Sequence, residues 1–398
     1  MLAPSLNLPV PSHTRAIVLL AVAGFASQAM VRVADSILPQ IASDLGVTIG
    51  AASTIVSAYA IMHGSMQLVI GPLGDRFGKY LTVAVACGLS SILVMLCGFA
   101  QSLSGLTLAR LASGAAAAWI IPLGMAYIGD VVPYERRQHV IGRYLTGQIS
   151  GQIFGQAAGG IIGDWLGWRS VFFLLAAVFA LAAVALFREL AINPLTRPLP
   201  RADARSRGFV ADYSAVLSNP WARIVLLAVF LEAALMFGAF AYVGADLHAR
   251  FGLSFTLVGA LVGTFGIGGL IYAVTVKSLV RHLGQRGLAA NGGIALGVAF
   301  LTLATARFWW LMPFAIILIG LGYYMLHNTL QTNATQMSPQ ARGTAVALFA
   351  AVFYLGQTVG VALVAPIIDH HGAQPAFFVA AILLPTLGLW FASRIKSG

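Results

Sequence analysis

Charged residues are scarce in this sequence. Asp, Glu, Lys and Arg make up 9% of its 398 residues, against roughly 25% in soluble domains. Hydrophobic residues make up 59% and the mean hydropathy is +0.88, more apolar surface than a soluble core needs. Cysteine is nearly absent. Cys87 and Cys97 lie ten positions apart, roughly 15 Å along a helix, so they do not bridge each other. They read as packing residues, and no Cys/His cluster with metal-ligand spacing occurs. A GK[ST] phosphate loop and a nucleophile elbow are also missing. The expectation is a chain with no cofactor and no metal, whose energy source is most simply an ion gradient.

What the sequence does contain is apolar runs of about 20 residues, each long enough to cross a bilayer. The first set covers 16–38, 49–71, 81–100, 106–128, 144–162 and 171–187. The second covers 224–243, 257–276, 288–305, 310–329, 345–366 and 376–391. The fold class expected is an all-α integral membrane protein with about twelve transmembrane helices, each satisfying its own backbone in lipid.

The net charge of +11 invites a nucleic-acid reading, but its distribution points to a membrane. With the N-terminus in the cytoplasm, that side holds Arg15, Arg76, Lys79, Arg136, Arg137, Arg143 and the cluster from Arg188 to Arg223. Lys277, Arg281, Arg286, Arg342, Arg394 and Lys396 join them, while the other side holds only Arg169, Arg250 and Arg307. This asymmetry is the positive-inside rule. It predicts a multi-pass protein of the cell's inner membrane with both termini cytoplasmic, and no nucleic-acid partner. Residues 1–14 are proline-rich and lack a basic region with a small-residue cleavage site, so the first span is expected to stay.

Between the second and third spans runs Gly71-Pro72-Leu73-Gly74-Asp75-Arg76-Phe77-Gly78-Lys79. Three glycines and a proline turn the chain sharply. Asp, Arg and Lys so near the bilayer are costly unless they face water or one another. The stretch resembles the loop between helices 2 and 3 of the major facilitator superfamily, G-x-L-a-D-R-x-G-R-K. Gly71, Leu73, Asp75, Arg76 and Gly78 match, Lys79 keeps the charge of the usual Arg, and Tyr80 departs from the usual Lys. The resemblance implies a conformational latch. Asp75 would cap the start of the eleventh helix near Arg342, Gly343 and Thr344, and Lys79 would reach Asp130.

The two halves echo each other. Pro133 and Arg136 recur as Pro339 and Arg342; Gly151, Gln152 and Gly155 as Gly356, Gln357 and Gly360; Asp164, Gly167, Phe172 and Phe173 as Asp369, Gly372, Phe377 and Phe378; Gly78 as Gly284. The offset is 205 or 206 positions throughout. Parallel repeats of this kind match the two six-helix bundles of the superfamily, with the substrate site between them. The division expected is a tail at 1–14, a bundle at 15–187, a linker at 188–220, a second bundle at 221–392 and a tail at 393–398. The linker is rich in Arg and Pro and reads as a connection, not a folded domain.

The fifth span carries Gly147, Gly151, Gly155, Gly159 and Gly160. Glycine at every fourth position makes a smooth stripe for close helix packing. The stripe resembles the superfamily's antiporter motif, G-x-x-x-G-P-x-x-G-G, with Gln156 where the family has Pro. Gln148, Gln152 and Gln156 run beside it, and polar groups at that depth should face protein or water. The fourth span opens with Arg110, which resembles an Arg associated with proton coupling in this family. An Arg so near a helix start also fits simple snorkelling to the outer interface.

Few other ionisable groups lie at membrane depth, and such groups are functional candidates by default. Gln28, Arg32 and Asp35 share a face of the first span. The run from Asp35 to Pro39 resembles the first helix of drug:proton antiporters. Two placements fit Asp35, a cavity or the outer interface. Glu232 lies nine residues beyond Arg223, roughly 14 Å into the seventh span and near the midplane, where a carboxylate needs a partner. His63 lies in the second span. Tyr324, His327, Asn328 and Gln331 share one face of the tenth span, which reads as a cavity wall, although a structural histidine fits His327 as well.

These features read together as a secondary transporter. Asp35, Arg110 and Glu232 are the candidates for proton coupling, with Arg110 expected to pair with Asp35. Gln28, Arg32, Gln152, Gln156, Tyr324, His327, Asn328 and Gln331 are the candidates for the substrate cavity. The partners expected are a small solute, protons and the lipid bilayer, with the chain acting as a monomer. The resemblance implies efflux of a drug or metabolite by proton antiport. Proton-coupled uptake fits the same carboxylates, and a non-transporting sensor or membrane enzyme is the reading from another class.

Overall fold

The computed structural model describes residues 13–197, 209–338 and 342–395, those at 71–76, 134–135, 138, 209–210 and 212 in backbone only. All regular structure among them is helical. The first half contains α1 (His13–Arg32), α2 (Ala34–Asp44), α3 (Ile49–Ala52), α4 (Thr54–Phe77), α5 (Lys79–Phe99), α6 (Leu103–Ala117), α7 (Ile120–Val131), α8 (Tyr134–Leu166) and α9 (Trp168–Ile192). Helix α10 (Phe209–Ser218) stands between the halves. The second half contains α11 (Pro220–Phe240), α12 (Val243–Phe251), α13 (Phe255–Gly263), α14 (Phe265–Thr305), α15 (Met312–Ala334), α16 (Arg342–His371) and α17 (Gln374–Arg394).

Ten stretches among the described residues are long and apolar enough to cross a membrane. Two details reconcile ten with twelve. The stretch Phe255–Thr305 counts once but holds two spans, parted at Gly284, whose φ is 59°. Helix α8 has the length, but Gln148, Gln152 and Gln156 dilute its apolar character. Several spans are also broken, as α1/α2 at Val33, α6/α7 at Ala118–Trp119 and α11/α12 at Ala241–Tyr242.

The sequence repeat has a conformational counterpart. Among the described residues six glycines have positive φ: Gly46, Gly78, Gly167, Gly252, Gly284 and Gly372. They form three pairs at the 205–206 offset, Gly46 with Gly252, Gly78 with Gly284 and Gly167 with Gly372. Each reverses the chain between successive spans, where a side chain would be strained. The expected division shifts at its edges, because α9 continues to Ile192 and α10 occupies part of the expected linker. Helix α10 is docked: Tyr213 donates to the Leu68 carbonyl at 2.8 Å.

Within the first bundle α8 lies hard against α1. A Cβ at Gly151 would stand 2.2 Å from the Phe25 carbonyl oxygen, and one at Gly155 2.3 Å from that of Ala29. Because both obstacles are backbone, they cannot rotate away. Gly155→Val is therefore expected to destabilise the protein by about 3 kcal/mol, the upper end of overpacking costs. A lower thermal midpoint checks this; an unchanged one would mean the helices separate freely.

The bundles meet along two seams, α4 on α16 and α8 on α13. Call the end where α1 begins and α17 ends the terminal end, and the opposite one the far end. Among the described residues, every hydrogen bond between the two bundles lies from mid-helix to the far end. Examples are Tyr242 to Ser53 at 2.8 Å, Ser57 with Thr358, and Gly50 with Asp369. Exposure along one face of α15 rises toward the terminal end, from buried Tyr323 through half-buried His327 and Asn328 to exposed Gln331. Among the described residues, hydrogen bonds thus join the halves at the far end, and the α15 face is more exposed toward the terminal end.

Candidate functional site

Helix α1 gives way to α2 at Val33, and within α2 Pro39 has no N–H to offer the Asp35 carbonyl four residues back. The bend places Arg32 and Asp35 beside the second bundle. A Cβ at Gly244 in α12 would stand 2.6 Å from the Asp35 carbonyl oxygen, so glycine is needed for this approach. Asp35 is 2% exposed. It therefore lies inside the protein, and the alternative of an exposed rim position is set aside.

The Asp35 carboxylate accepts a hydrogen bond from Gln156 Nε2 at 3.2 Å. Arg32 Nη1 lies 3.8 Å from the same oxygen, an ion pair beyond hydrogen-bond reach. The Arg32 guanidinium stacks 3.8 Å from the ring centroid of Phe237 in α11, so a cation of one bundle rests on an aromatic face of the other. Phe237 had no sequence signal beyond its place in an apolar run.

The expected pairing of Arg110 with Asp35 does not occur. Arg110 is fully buried, which also excludes snorkelling. Its Nε donates to the Ile55 carbonyl at 3.2 Å and its Nη1 to that of Met30 at 3.1 Å. Its face stacks on Tyr59 at 4.3 Å. Backbone carbonyls of α4 and α1 thus take the place expected for the carboxylate, and Nη2 has no hydrogen-bond partner.

Glu232 is fully buried in α11. Its Oε2 lies 2.9 Å from His327 Nδ1 of α15, and its Oε1 has no partner. The histidine ring stacks on Tyr323 at 4.9 Å, with the Phe353 edge also at 4.9 Å. Aromatic packing on both sides fixes the ring so that one nitrogen meets the carboxylate. Nearby, Tyr324 donates to Gln152 across the bundles at 3.4 Å. His63 lies between Tyr59 and Tyr354, part of the α4–α16 seam. Asn328 is half-buried and Gln331 exposed on the same face of α15, and Gln28 is half-buried in α1.

At the terminal end Lys79 contacts Asp130, as expected. Gly71 is described in backbone only, and the side chains of Asp75 and Arg76 lie outside the described residues. Arg342 is exposed and Gly343 has open space beside it.

The far end holds a symmetric feature that the sequence registered only as a repeat. Asp369 accepts from Gly50 N and Thr48 Oγ1, both at 2.8 Å. Asp164 accepts from Thr256 N at 3.1 Å and Thr256 Oγ1 at 2.7 Å. Each carboxylate caps the first turn of a helix in the other bundle, where free N–H groups and the helix dipole favour it. Asp164 and Asp369 are repeat mates, as are Gly50 and Thr256. Each exposed cap is worth about 1 kcal/mol. Removing both in Asp164→Asn/Asp369→Asn should therefore favour far-end opening about tenfold or more. Labelling of a Ser57→Cys probe by an impermeant thiol reagent should rise accordingly. Unchanged labelling would mean the caps do not hold this end closed. Beside them Asp44 is held below the usual carboxylate range by hydrogen bonds from Arg169 and Trp168.

Comparison with known proteins agrees with this architecture. The sequence profile of the Major Facilitator Superfamily matches residues 20–349 and 244–397. The chain belongs to the major facilitator superfamily. Among relatives in this superfamily, it is 26% identical over 362 residues to the MFS-type transporter YceJ of Bacillus subtilis, covering 87% of this chain and 88% of that protein. It is 20% identical over 376 residues to a probable sugar efflux transporter of Pasteurella multocida, covering 94% and 90%. Its fold resembles a crystal structure of a mutant of the nucleoside transporter NupG with a TM-score of 0.78 and 14% identity, covering 96% of this chain and all of that one. The protein is a multi-pass transporter of a small solute, not an enzyme.

Proposed function

We propose that this transporter exports a small organic solute in exchange for protons, by alternating exposure of a site between the two bundles. The observation that carries the reading is the Glu232–His327 pair, a carboxylate with no exposure held at mid-helix beside the interface. Asp35 is a second buried carboxylate on the opposite bundle. Two such groups in the membrane are costly unless they serve transport. Exchange follows if a protonated carboxylate and bound solute exclude each other. Arg32, Gln152, Tyr324, His327 and Asn328 line the approach, with Gln28 and Gln331 nearer the terminal end. The positive-inside distribution supports a cytoplasmic terminal end in an inner membrane, and the chain acts as a monomer. Asp75, Arg76, Lys79 and Asp130 act as the latch of that end.

Export is supported by the resemblance of the first and fifth spans to antiporters and by one relative, the probable sugar efflux transporter of Pasteurella multocida. Gln156 in place of the motif proline weakens that support, and the same carboxylates serve the second reading, proton-coupled uptake. The test begins with a thermal-shift screen of the purified protein against a broad solute library, since a ligand that binds the native state raises its stability. The labelled hit is then followed in cells under a pH gradient. Loss from loaded cells supports export; accumulation overturns it in favour of uptake.

A further inference from the structure

Gln156 stands at the junction of three helices. Its helix, α8, is clamped to α1 through Gly155 and to α13 through Gly160, where a Cβ would lie 2.4 Å from the Phe255 carbonyl oxygen. In this conformation all three backbones are in contact, so rotation of the Gln156 side chain is the local way to answer a change at Asp35. It is fully buried. Its Nε2 makes the hydrogen bond to Asp35, and Oε1, equally buried, has no donor. An orphaned buried acceptor costs about 1–3 kcal/mol, which is unexplained if the amide has only one task.

A carboxamide carries a donor and an acceptor of nearly the same shape. Charged Asp35 needs a donor, and Nε2 supplies it. When a proton binds Asp35, the acid O–H becomes a donor and needs an acceptor. Turning the amide end for end presents Oε1 in the same place. The geometry points to Gln156 as the positioning residue for Asp35 in both protonation states, its amide rotating as the proton arrives and leaves. The proton adds to a carboxylate oxygen and stays there; no bond forms to the amide. Arg32 does not do this, because it has no acceptor and lies beyond hydrogen-bond distance. Arg110 is held on two carbonyls. On the elements packed against α2, the titratable groups at its own end are engaged elsewhere: Asp246 with Arg250, His248 with the Leu253 carbonyl, Asp164 with Thr256, and Arg169 with Asp44; those of α8 and α9 at the terminal end, Arg136, Arg137, Arg143, Arg188 and Glu189, lie at the opposite ends of those helices.

This role rests on Asp35 being a coupling carboxylate, and spectroscopy separates the two claims. Infrared difference spectra of the purified protein are recorded between high and low pH. The wild type should show a protonated carboxyl band, absent in Asp35→Asn, together with a shifted glutamine side-chain carbonyl band that disappears in the same variant. Gln156→Met keeps the length but removes donor and acceptor. In it the glutamine band should be lost and the carboxyl band should move to higher frequency, as for an acid without an acceptor. An Asp35 band without the paired glutamine band overturns the proposal, even if Gln156→Met fails to fold. So does an unshifted carboxyl band in Gln156→Met, or no Asp35 band at any pH. Proton-driven transport that survives in Asp35→Asn would instead sink the coupling role of Asp35 while leaving the paired bands intact.

Discussion

Replacing Glu232 with Gln is expected to abolish concentrative solute transport driven by a pH gradient, a loss of about a hundredfold or more, the scale set by removing a positioned proton-transfer group. Exchange of solute for solute should continue. The reason lies in the pair's geometry. Glu232 Oε2 faces His327 Nδ1 at 2.9 Å, and the amide of Gln can still accept from an Nδ1–H or donate to a bare Nδ1. Packing and the histidine orientation are therefore kept, and stability should change by less than about 1 kcal/mol. What is lost is the capacity to bind and release a proton. His327→Leu is different in kind, because it strands the carboxylate without its partner, a change that costs about 3–5 kcal/mol. Reconstituted protein with the labelled solute from the screen distinguishes the cases. A Glu232→Gln protein that still concentrates solute against its gradient, driven by the pH difference alone, would remove Glu232 from the coupling pathway.

Much of the fold could be read from residues alone, because membrane spans write themselves as long apolar runs. The offset of 205–206 is carried by loop glycines and capping carboxylates, and the structure adds Gly46 with Gly252 to the same series. That Glu232 is buried was legible from its place nine residues beyond Arg223 in an apolar run. Its partner was not, because His327 lies 95 positions away and only packing decides which faces of α11 and α15 meet. The polarity of α8 marked it as internal, yet the bond from Gln156 to Asp35 depends on the helix register that Gly155 and Gly159 allow. Asp164 and Asp369 were visible as repeat marks. Their capping roles required knowing that the ends of α8 and α16 reach the first turns of α13 and α3. Arg110 shows the limit most clearly: similar depth on neighbouring spans implied a carboxylate partner, but backbone carbonyls carry no residue-type signal.

That correction leads to the second large effect. Arg110 Nε and Nη1 bind carbonyls on two different helices, α4 at Ile55 and α1 at Met30, just before the break at Val33. Charge-assisted bonds of this type contribute about 1.5–3 kcal/mol each, and stacking on Tyr59 adds about 1 kcal/mol. Together they roughly offset the several kcal/mol of burying a guanidinium. The wild-type side chain is thus near neutral in stability, and its loss is not. Arg110→Met strands the buried Met30 carbonyl, at about 1–3 kcal/mol, weakens the environment of the Ile55 carbonyl, which keeps its helical N–H, and removes the staple that joins α6 to both neighbours. A net destabilisation of about 3 kcal/mol is expected, read as a lower thermal midpoint and earlier loss of monodisperse protein. No bond runs from Arg110 to Asp35, but the two buried charges attract each other through space, so a double-mutant cycle with Asp35→Asn should show only weak coupling, about 0.5 kcal/mol. The cycle of Asp35→Asn with Gln156→Met should depart from additivity by about 1 kcal/mol, since those side chains touch. Arg110→Met as stable as the wild type would end the staple reading. Strong coupling to Asp35, with weak coupling to Gln156, would mean that the carboxylate's working partner is the arginine after all.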